Sequence, residues 1–245
     1  MIFIGMLYET IIIVVASILL ILIFKKYSEK KHRLTLYLFV IFINFLAAII
    51  FSWLSKLLVF YSGIEYVYNS AVQPPNDPLS WIILRIIDFR ISFIFITIAV
   101  FFSYILRVGV FEKGYNPIYK VIVIIFGIWT VFYTLIIYVR GNTLFDVFAF
   151  LFVFIYMSMI YFPFMIQSYK LYKSVDEKIY KNAFLSLSVM SLFFILVLLG
   201  FLLDRVLILL GSPGFTIFYF LAWSFVIIGM LGAYLGYISP KSKEK

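Results

Sequence analysis

The sequence predicts an all-α integral membrane protein, built as one bundle of seven transmembrane helices. Of its 245 residues, 65% are hydrophobic and only 13% are charged, and the mean hydropathy is +1.14. A chain of this composition cannot cover a water-facing surface. The apolar runs last about twenty residues, the length that a helix needs to cross the hydrocarbon core, whereas barrel strands alternate over about ten residues.

The first three helices are apolar runs interrupted by few charges. The first opens near Glu9 and ends at a basic connector, with no basic segment ahead of it that would mark a cleaved signal peptide. The second carries Lys56 late in the run. The third contains the stretch WIILRIIDFRISFIFITIAV at 81–100 and ends at Arg107. We expect these helices at 6–25, 34–61 and 80–107.

The last four helices follow the same pattern of long apolar runs and short connectors. The fourth ends at Arg140, and the fifth has Asp146 near its start and Pro163 inside it. The sixth carries Asp204 and Arg205 late in the run, and the seventh is uncharged. We expect these helices at 119–139, 143–169, 182–210 and 214–238, within a single domain of residues 1–245 that has no soluble part.

Basic residues alternate between the two sides of the predicted membrane. The connectors after helices one, three, five and seven hold fifteen of the twenty basic residues and five acids, whereas the other side holds five basic residues and six acids. The positive-inside rule therefore predicts an external N-terminus, a cytoplasmic C-terminus and a multi-pass protein of the cytoplasmic membrane. The net charge of +9 is an orientation signal with affinity for anionic lipids. It is too scattered for a nucleic-acid surface.

The longest connector on the predicted outer side is SGIEYVYNSAVQPPNDPLS at 62–80. Pro74, Pro75 and Pro78 deny it a continuous helix. It either packs as a cap over the mouth of the bundle or stays a loose loop.

Charged residues collect at the predicted outer ends of the helices, at a depth where a central charge costs roughly 2.5–3.5 kcal/mol. Arg85 and Asp88 are three residues apart and can pair along one helix face, whereas Arg90 is turned about 200° from Asp88 and must find a partner elsewhere or snorkel outward. The set is nearly neutral, which is what mutual pairing would produce. It comprises Glu9, Lys56, Glu65, Arg85, Asp88, Arg90, Arg140, Asp146, Asp204 and Arg205.

Two interpretations of these charges are open. They form a structural collar of interfacial ion pairs and snorkelling side chains, or they line an outward-open vestibule that binds a polar or zwitterionic ligand. In the second interpretation the candidate ligand-binding or gating residues are Arg85, Asp88, Arg90, Asp146, Asp204 and Arg205.

Most catalytic and cofactor chemistries lack the residues that they need. The chain has no cysteine, and its single histidine, His32, lies in a basic connector, which disfavours haem, zinc and serine–histidine sites. The last predicted helix has no lysine for retinal. Asp88 and Asp204 each have an arginine within two residues, which would keep an aspartyl dyad ionised. We therefore predict no enzyme, no cofactor and no metal site.

The helix count, the orientation, the charged outer mouth and the short basic inner connectors resemble the seven-transmembrane sensor regions that precede histidine kinases in prokaryotes. The resemblance implies a receptor-like protein that binds a ligand from the outer side. No output domain follows the last helix, so we expect a separate cytoplasmic partner on KKYSEKKHR (25–33) and KLYKSVDEKIYK (170–181).

Two other functions stay open. The chain is alternatively a small-solute or ion transporter or channel, with Arg90 and Asp88 in the path, or a structural subunit of a membrane complex. Gly232 and Gly236 fit the small-residue pattern of helix contacts, which could serve packing within the chain or a homo-oligomer.

Overall fold

The computed structural model describes residues 1–73, 75–112 and 114–238, and in these ranges it is helical without any strand. Seven helical segments are long and apolar enough to cross a membrane, which confirms the predicted class of an all-α, multi-pass membrane protein. The elements are α1 (Ile2–Lys30), α2 (Arg33–Ser62), α3 (Pro78–Ile87), α4 (Arg90–Phe111), α5 (Pro117–Phe132), α6 (Thr143–Ser174), α7 (Lys178–Leu209) and α8 (Ile217–Ala233), with π-helical turns at Tyr133–Ile137 after α5 and Tyr234–Ile238 after α8.

Several residues of the sequence analysis lie outside the described ranges. They are Pro74 of the long connector and the basic residues Lys113, Lys241, Lys243 and Lys245 of the charge pattern.

Three helices begin at an Asp or Asn cap, which explains why they start where they do. The side chains of Asn116 and Asn142 accept backbone N–H bonds at the starts of α5 and α6. At α3, the carboxylate of Asp77 accepts the backbone N–H of Ser80 at 2.8 Å. This bond holds the pKa of Asp77 below its usual value, because it favours the ionised form.

The predicted third helix, 80–107, is interrupted and forms two helices. Phe89 has φ +64°, in the left-handed region that residues other than glycine rarely adopt, so α3 ends at Ile87 and α4 begins at Arg90. The Ser55 hydroxyl donates to the carbonyl oxygen of Ile87 at 2.6 Å and satisfies a group that the interruption frees. The charged stretch of the sequence is therefore the point at which the helix breaks.

Six of the spans close into a ring. α1 packs against α2 and α8, α2 against α4, α4 against α6, α6 against α7, and α7 against α8, while α5 lies outside the ring against α4 and α6. α7 and α8 approach closely at Gly232, where an added Cβ would lie 2.9 Å from the carbonyl oxygen of Ser186. Gly232 and Gly236 thus face α7 of the same chain.

We refer to the two ends of the bundle as the N-terminal face, which contains Met1 and the connectors 63–77, 138–142 and 210–216, and the basic face, which contains the connectors 31–32 and 175–177. The 63–77 connector lies across the N-terminal face. Its backbone N–H groups at Ser70 and Val72 donate to the carbonyl oxygens of Gly141 and Arg140 at 2.9 and 3.0 Å. The described part of this connector is therefore packed as a cap.

Candidate ligand-binding site

Most of the charges at the N-terminal face are buried and joined by ion pairs. The most enclosed pair is Glu9 with Lys56, both 0% exposed, with 2.7 Å between the ammonium nitrogen and the carboxylate oxygen Oε1. The same oxygen accepts the hydroxyls of Ser52 at 2.8 Å and Tyr219 at 2.9 Å. Three donors from α2 and α8 therefore converge on one carboxylate of α1, which offsets the cost of burying it.

A second cluster places Asp146 of α6 between two arginines. Arg90, the first residue of α4, donates to Oδ1 of Asp146. Arg205 of α7 lies 3.3 Å from the other carboxylate oxygen, Oδ2. One aspartate thereby links three helices of the ring, and Arg90 has the separate partner that its helical position demands.

Aromatic rings complete the surroundings of Arg90, which is 1% exposed. Its guanidinium carbon lies 3.6 Å from the ring centroid of Tyr138 and 5.3 Å from that of Phe93. Two of its nitrogens, Nε and Nη1, are buried without a hydrogen-bond acceptor. Cation–π contact therefore compensates part of the lost hydration of this guanidinium.

Asp204 ties α7 to the start of α8. Its Oδ1 accepts the backbone N–H of Thr216 at 2.9 Å and the Thr216 hydroxyl at 2.7 Å. Its other oxygen is 3.9 Å from Nε of Arg205. Asp204 thus holds the 210–216 connector and also neutralises part of the arginine cluster.

The predicted pairing of Arg85 with Asp88 is wrong. Among the described residues no ion pair joins them: Oδ1 of Asp88 lies 3.4 Å from Nε of Arg140, whereas Arg85 donates to the carbonyl oxygen of Tyr138 at 3.3 Å. The physical reason is competition from other partners: the guanidinium of Arg140 lies beside the Asp88 carboxylate, and the carbonyl oxygen of Tyr138 accepts from Arg85. Arg85 consequently lies apart from the cluster around Asp146.

Two adjoining spaces lie beside the Asp146 cluster. A polar chamber of about 20 Å³ has Asp88, Arg90 and Asp146 in its walls. An almost wholly apolar cavity of about 100 Å³ lies inside the ring, walled by side chains of α2, α4, α6, α7 and α8. Arg205 and Phe89 belong to the walls of both spaces. The structure thus sets a charged space beside an apolar one, with a single guanidinium at the boundary.

Two polar atoms in the apolar cavity have no partner. The hydroxyl of Ser92 and the indole N–H of Trp223 line this cavity and are buried without a hydrogen-bond partner. Buried polar groups in native proteins are normally paired, so these two atoms are exceptions within the described residues.

Tyrosines of the connectors line the polar chamber, and they were not among the residues predicted from the sequence. Tyr66 shares a 3.0 Å hydrogen bond with Ser55 and stacks on Phe89 at 5.9 Å between ring centroids. Burial raises the pKa of Tyr66, so its hydroxyl stays neutral. Tyr68 and Tyr138 line the same chamber. Tyr66 and Tyr68 could have been identified from the sequence, because EYVYNS places two tyrosines two residues apart within an otherwise polar connector.

Of the six candidate ligand-binding residues, the structure brings Arg90, Asp146, Asp204 and Arg205 into one cluster. Asp88 lies in the wall of the polar chamber, and Arg85 lies on the flank of the bundle. Within the described residues, no group of three or more metal-binding side chains occurs. No protein-family model, curated protein or solved structure matches this chain.

Proposed function

We propose that this chain is a receptor-like membrane protein that binds a small zwitterion with a compact apolar side chain, such as an aliphatic α-amino acid, from the outer side. The observation that carries the proposal is that Arg205 and Phe89 line both the charged chamber and the apolar cavity, so the two spaces lie side by side. A ligand at this boundary can place its charged groups at the Asp146 cluster and its side chain in the cavity once Arg205 and Phe89 move apart, because the chamber itself has room for only about one or two water molecules.

The charges of the cluster match those of a zwitterion. The carboxylate of Asp146 can accept an ammonium group, and the guanidinium groups of Arg90 and Arg205 can donate to a carboxylate. These groups already pair with one another, so a neutral zwitterion exchanges ion pairs without adding net charge to a buried site. A ligand with a single charge would leave one partner uncompensated, which is costly at this depth.

The cavity limits the size of the apolar part. An apolar cavity of about 150 Å³ accepts benzene, so the smaller space of about 100 Å³ suits a short branched aliphatic chain. Toward the basic face, Phe194 lines the cavity and packs against two further rings, 5.4 Å from Tyr161 and 6.4 Å from Phe42 between ring centroids. This ring packing obstructs a path through the bundle, which favours ligand binding over transport.

Signalling requires that the ligand favour one of two helix packings. Asp146 contacts side chains of α4 and α7, so a ligand that takes over its partners would change the packing of three helices at once. The charge pattern directs the basic face to the cytoplasm. A soluble partner on the 25–33 and 170–181 segments would then read the change.

Transport is the second candidate, and the interruption of the third span at Phe89 favours it. Transporters commonly build substrate sites at broken helices. Uptake of the ligand into liposomes that contain the purified protein would establish transport. Purification that succeeds only together with another membrane protein would instead favour the complex-subunit hypothesis.

Ligand-dependent thermal stability of the detergent-purified protein tests the proposal. We expect leucine to stabilise the wild type progressively with concentration, by about 2.7 kcal/mol at one hundred times its Kd. The single-charge analogues 4-methylpentanoate and 3-methylbutylamine should have much weaker effects. A panel of amino acids, sugars, nucleotides and ions without any selective stabilisation would contradict the proposal.

Three variants locate the site. Arg205→Gln and Arg90→Ala should lose the leucine effect. Arg107→Gln is the matched control, because Arg107 is also a buried arginine, paired with Glu112 at 3.0 Å, but belongs to the basic end of α4. It should lower basal stability and keep the leucine effect. Equal losses in all three variants would indicate general destabilisation and refute the site.

A further inference from the structure

A third cavity lies on the flank of the N-terminal face and shares the wall residues Asp88 and Tyr138 with the polar chamber of the proposed ligand site. Its volume is about 290 Å³, and it lies between α3, the π-helical turn after α5 and the 63–77 connector. Its walls include Gln73, Trp81, Arg85, Ile136 and Arg140. The apolar central cavity shares no wall residue with it.

The polar groups of this cavity carry an excess of positive charge. Arg85 and Arg140 are countered by one carboxylate, that of Asp88, which lies 3.4 Å from Arg140. Arg85 makes no ion pair among the described residues, and its Nε is buried without a hydrogen-bond acceptor. The cavity walls therefore hold one more guanidinium than carboxylate, and such an excess favours binding of a phosphate or carboxylate group.

Aromatic and apolar side chains place the cavity at a membrane interface. The Arg85 guanidinium lies 5.0 Å from the ring centroid of Trp81 and 5.4 Å from that of Tyr138, and Trp and Tyr are enriched at headgroup depth. Beside the cavity, Ile82 and Ile136 are 47% and 61% exposed. The acyl chains of a lipid can cover this apolar surface, whereas a free inorganic anion would leave it uncovered.

We propose that this flank cavity binds the phosphate headgroup of an anionic phospholipid from the surrounding bilayer. Arg85 donates to the phosphate, Arg140 adds long-range attraction, and the acyl chains run along the exposed isoleucines. The size of the cavity, the uncompensated arginine and the apolar rim each match one part of such a lipid. Arg85 and Arg140 take no part in the ion pairs of Asp146, so the proposed lipid contacts leave its pairs with Arg90 and Arg205 in place.

Lipid titration of the delipidated, detergent-purified protein tests the inference, with thermal stability or native mass spectrometry as the readout. We expect phosphatidylglycerol to bind the wild type and Arg85→Gln to weaken it about tenfold, as the loss of a charge-assisted contact would. Phosphatidylcholine should bind more weakly than phosphatidylglycerol. If glycerol phosphate alone binds as tightly as phosphatidylglycerol, the site belongs to a soluble phosphate and the lipid proposal fails.

Variants of Gln73 keep the test valid if Arg85→Gln folds poorly. Gln73 is exposed on the connector and lines the cavity, so its substitutions should leave basal stability unchanged. Gln73→Glu should weaken phosphatidylglycerol binding, whereas Gln73→Lys should strengthen it. Lys178→Gln, an exposed change at the basic face, controls for general attraction and should have no effect. Identical binding by both Gln73 variants and the wild type would overturn the inference.

Discussion

Replacing Lys56 by methionine should cost this bundle a large part of its stability, although methionine keeps the apolar stem of the side chain. Lys56 and Glu9 are both 0% exposed, so no water can take the place of the ammonium group. The change removes the 2.7 Å contact and leaves the carboxylate with only the hydroxyls of Ser52 and Tyr219. Breaking a buried ion pair from one side costs about 3–5 kcal/mol, against a total stability of about 5–15 kcal/mol.

The double variant Glu9→Gln/Lys56→Met distinguishes a stranded charge from lost packing. The glutamine carbonyl oxygen can still accept from Ser52 and Tyr219, so only the amide group of the new side chain needs a partner. We expect the double variant to recover at least about 2 kcal/mol of the loss in Lys56→Met.

Reversible unfolding in mixed micelles, with increasing sodium dodecyl sulfate and tryptophan fluorescence as the signal, measures both variants. Lys178→Met is the control, because Lys178 is exposed and its replacement should change the free energy of unfolding by less than about 0.5 kcal/mol. A loss below about 1 kcal/mol in Lys56→Met, or equal losses in the single and double variants, would refute the reasoning.

Three further predictions follow from the N-terminal face. Asp146→Asn should cost about 3–5 kcal/mol in the same unfolding assay, because it leaves two buried arginines side by side; a loss no larger than that of an exposed change would contradict this. Gly141→Ala should release the 63–77 connector, since Gly141 has φ +78° and an added Cβ would overlap the carbonyl oxygen of Ser70. Limited proteolysis should then cut the connector faster in the variant than in the wild type, and unchanged cleavage would argue against a packed cap. The wild type should have a higher free energy of unfolding than Asp77→Ala at pH 7, and this difference should be lost as the pH falls below 3.8, because folding lowers the pKa of Asp77. Unfolding measured at both pH values tests this, and a difference that grows in acid would contradict it.

The membrane class of this chain could be predicted because hydropathy and span length are local properties of the sequence. Each predicted span contains enough apolar residues to be recognised without knowledge of its neighbours. The interruption at Phe89 could not be predicted in the same way, because a phenylalanine carries no signal for the left-handed region, and the run around it is apolar enough for one continuous helix.

The charged residues of the site could be identified from the sequence, but their partners could not. Each charge stands out in an apolar run, whereas the choice of partner depends on which helices the ring places side by side. Asp146 meets Arg90 and Arg205 from positions 56 and 59 residues away in the chain. The local rule that pairs residues three apart failed at Arg85, because the fold brings Arg140 to Asp88 and the carbonyl oxygen of Tyr138 to Arg85.

The Glu9 carboxylate has a consequence for the biogenesis of this protein. The donors from Ser52 and Lys56 belong to the next helix, so α1 and α2 can enter the bilayer together as a hairpin with its charges neutralised. If α1 entered alone, it would carry an unpaired carboxylate into lipid. The third donor, Tyr219, lies 210 residues later and becomes available only when the last span is synthesised. The polar contacts of the first helix are therefore complete only when the last helix is in place, and a chain truncated before α8 would lack one of the three donors to the Glu9 carboxylate.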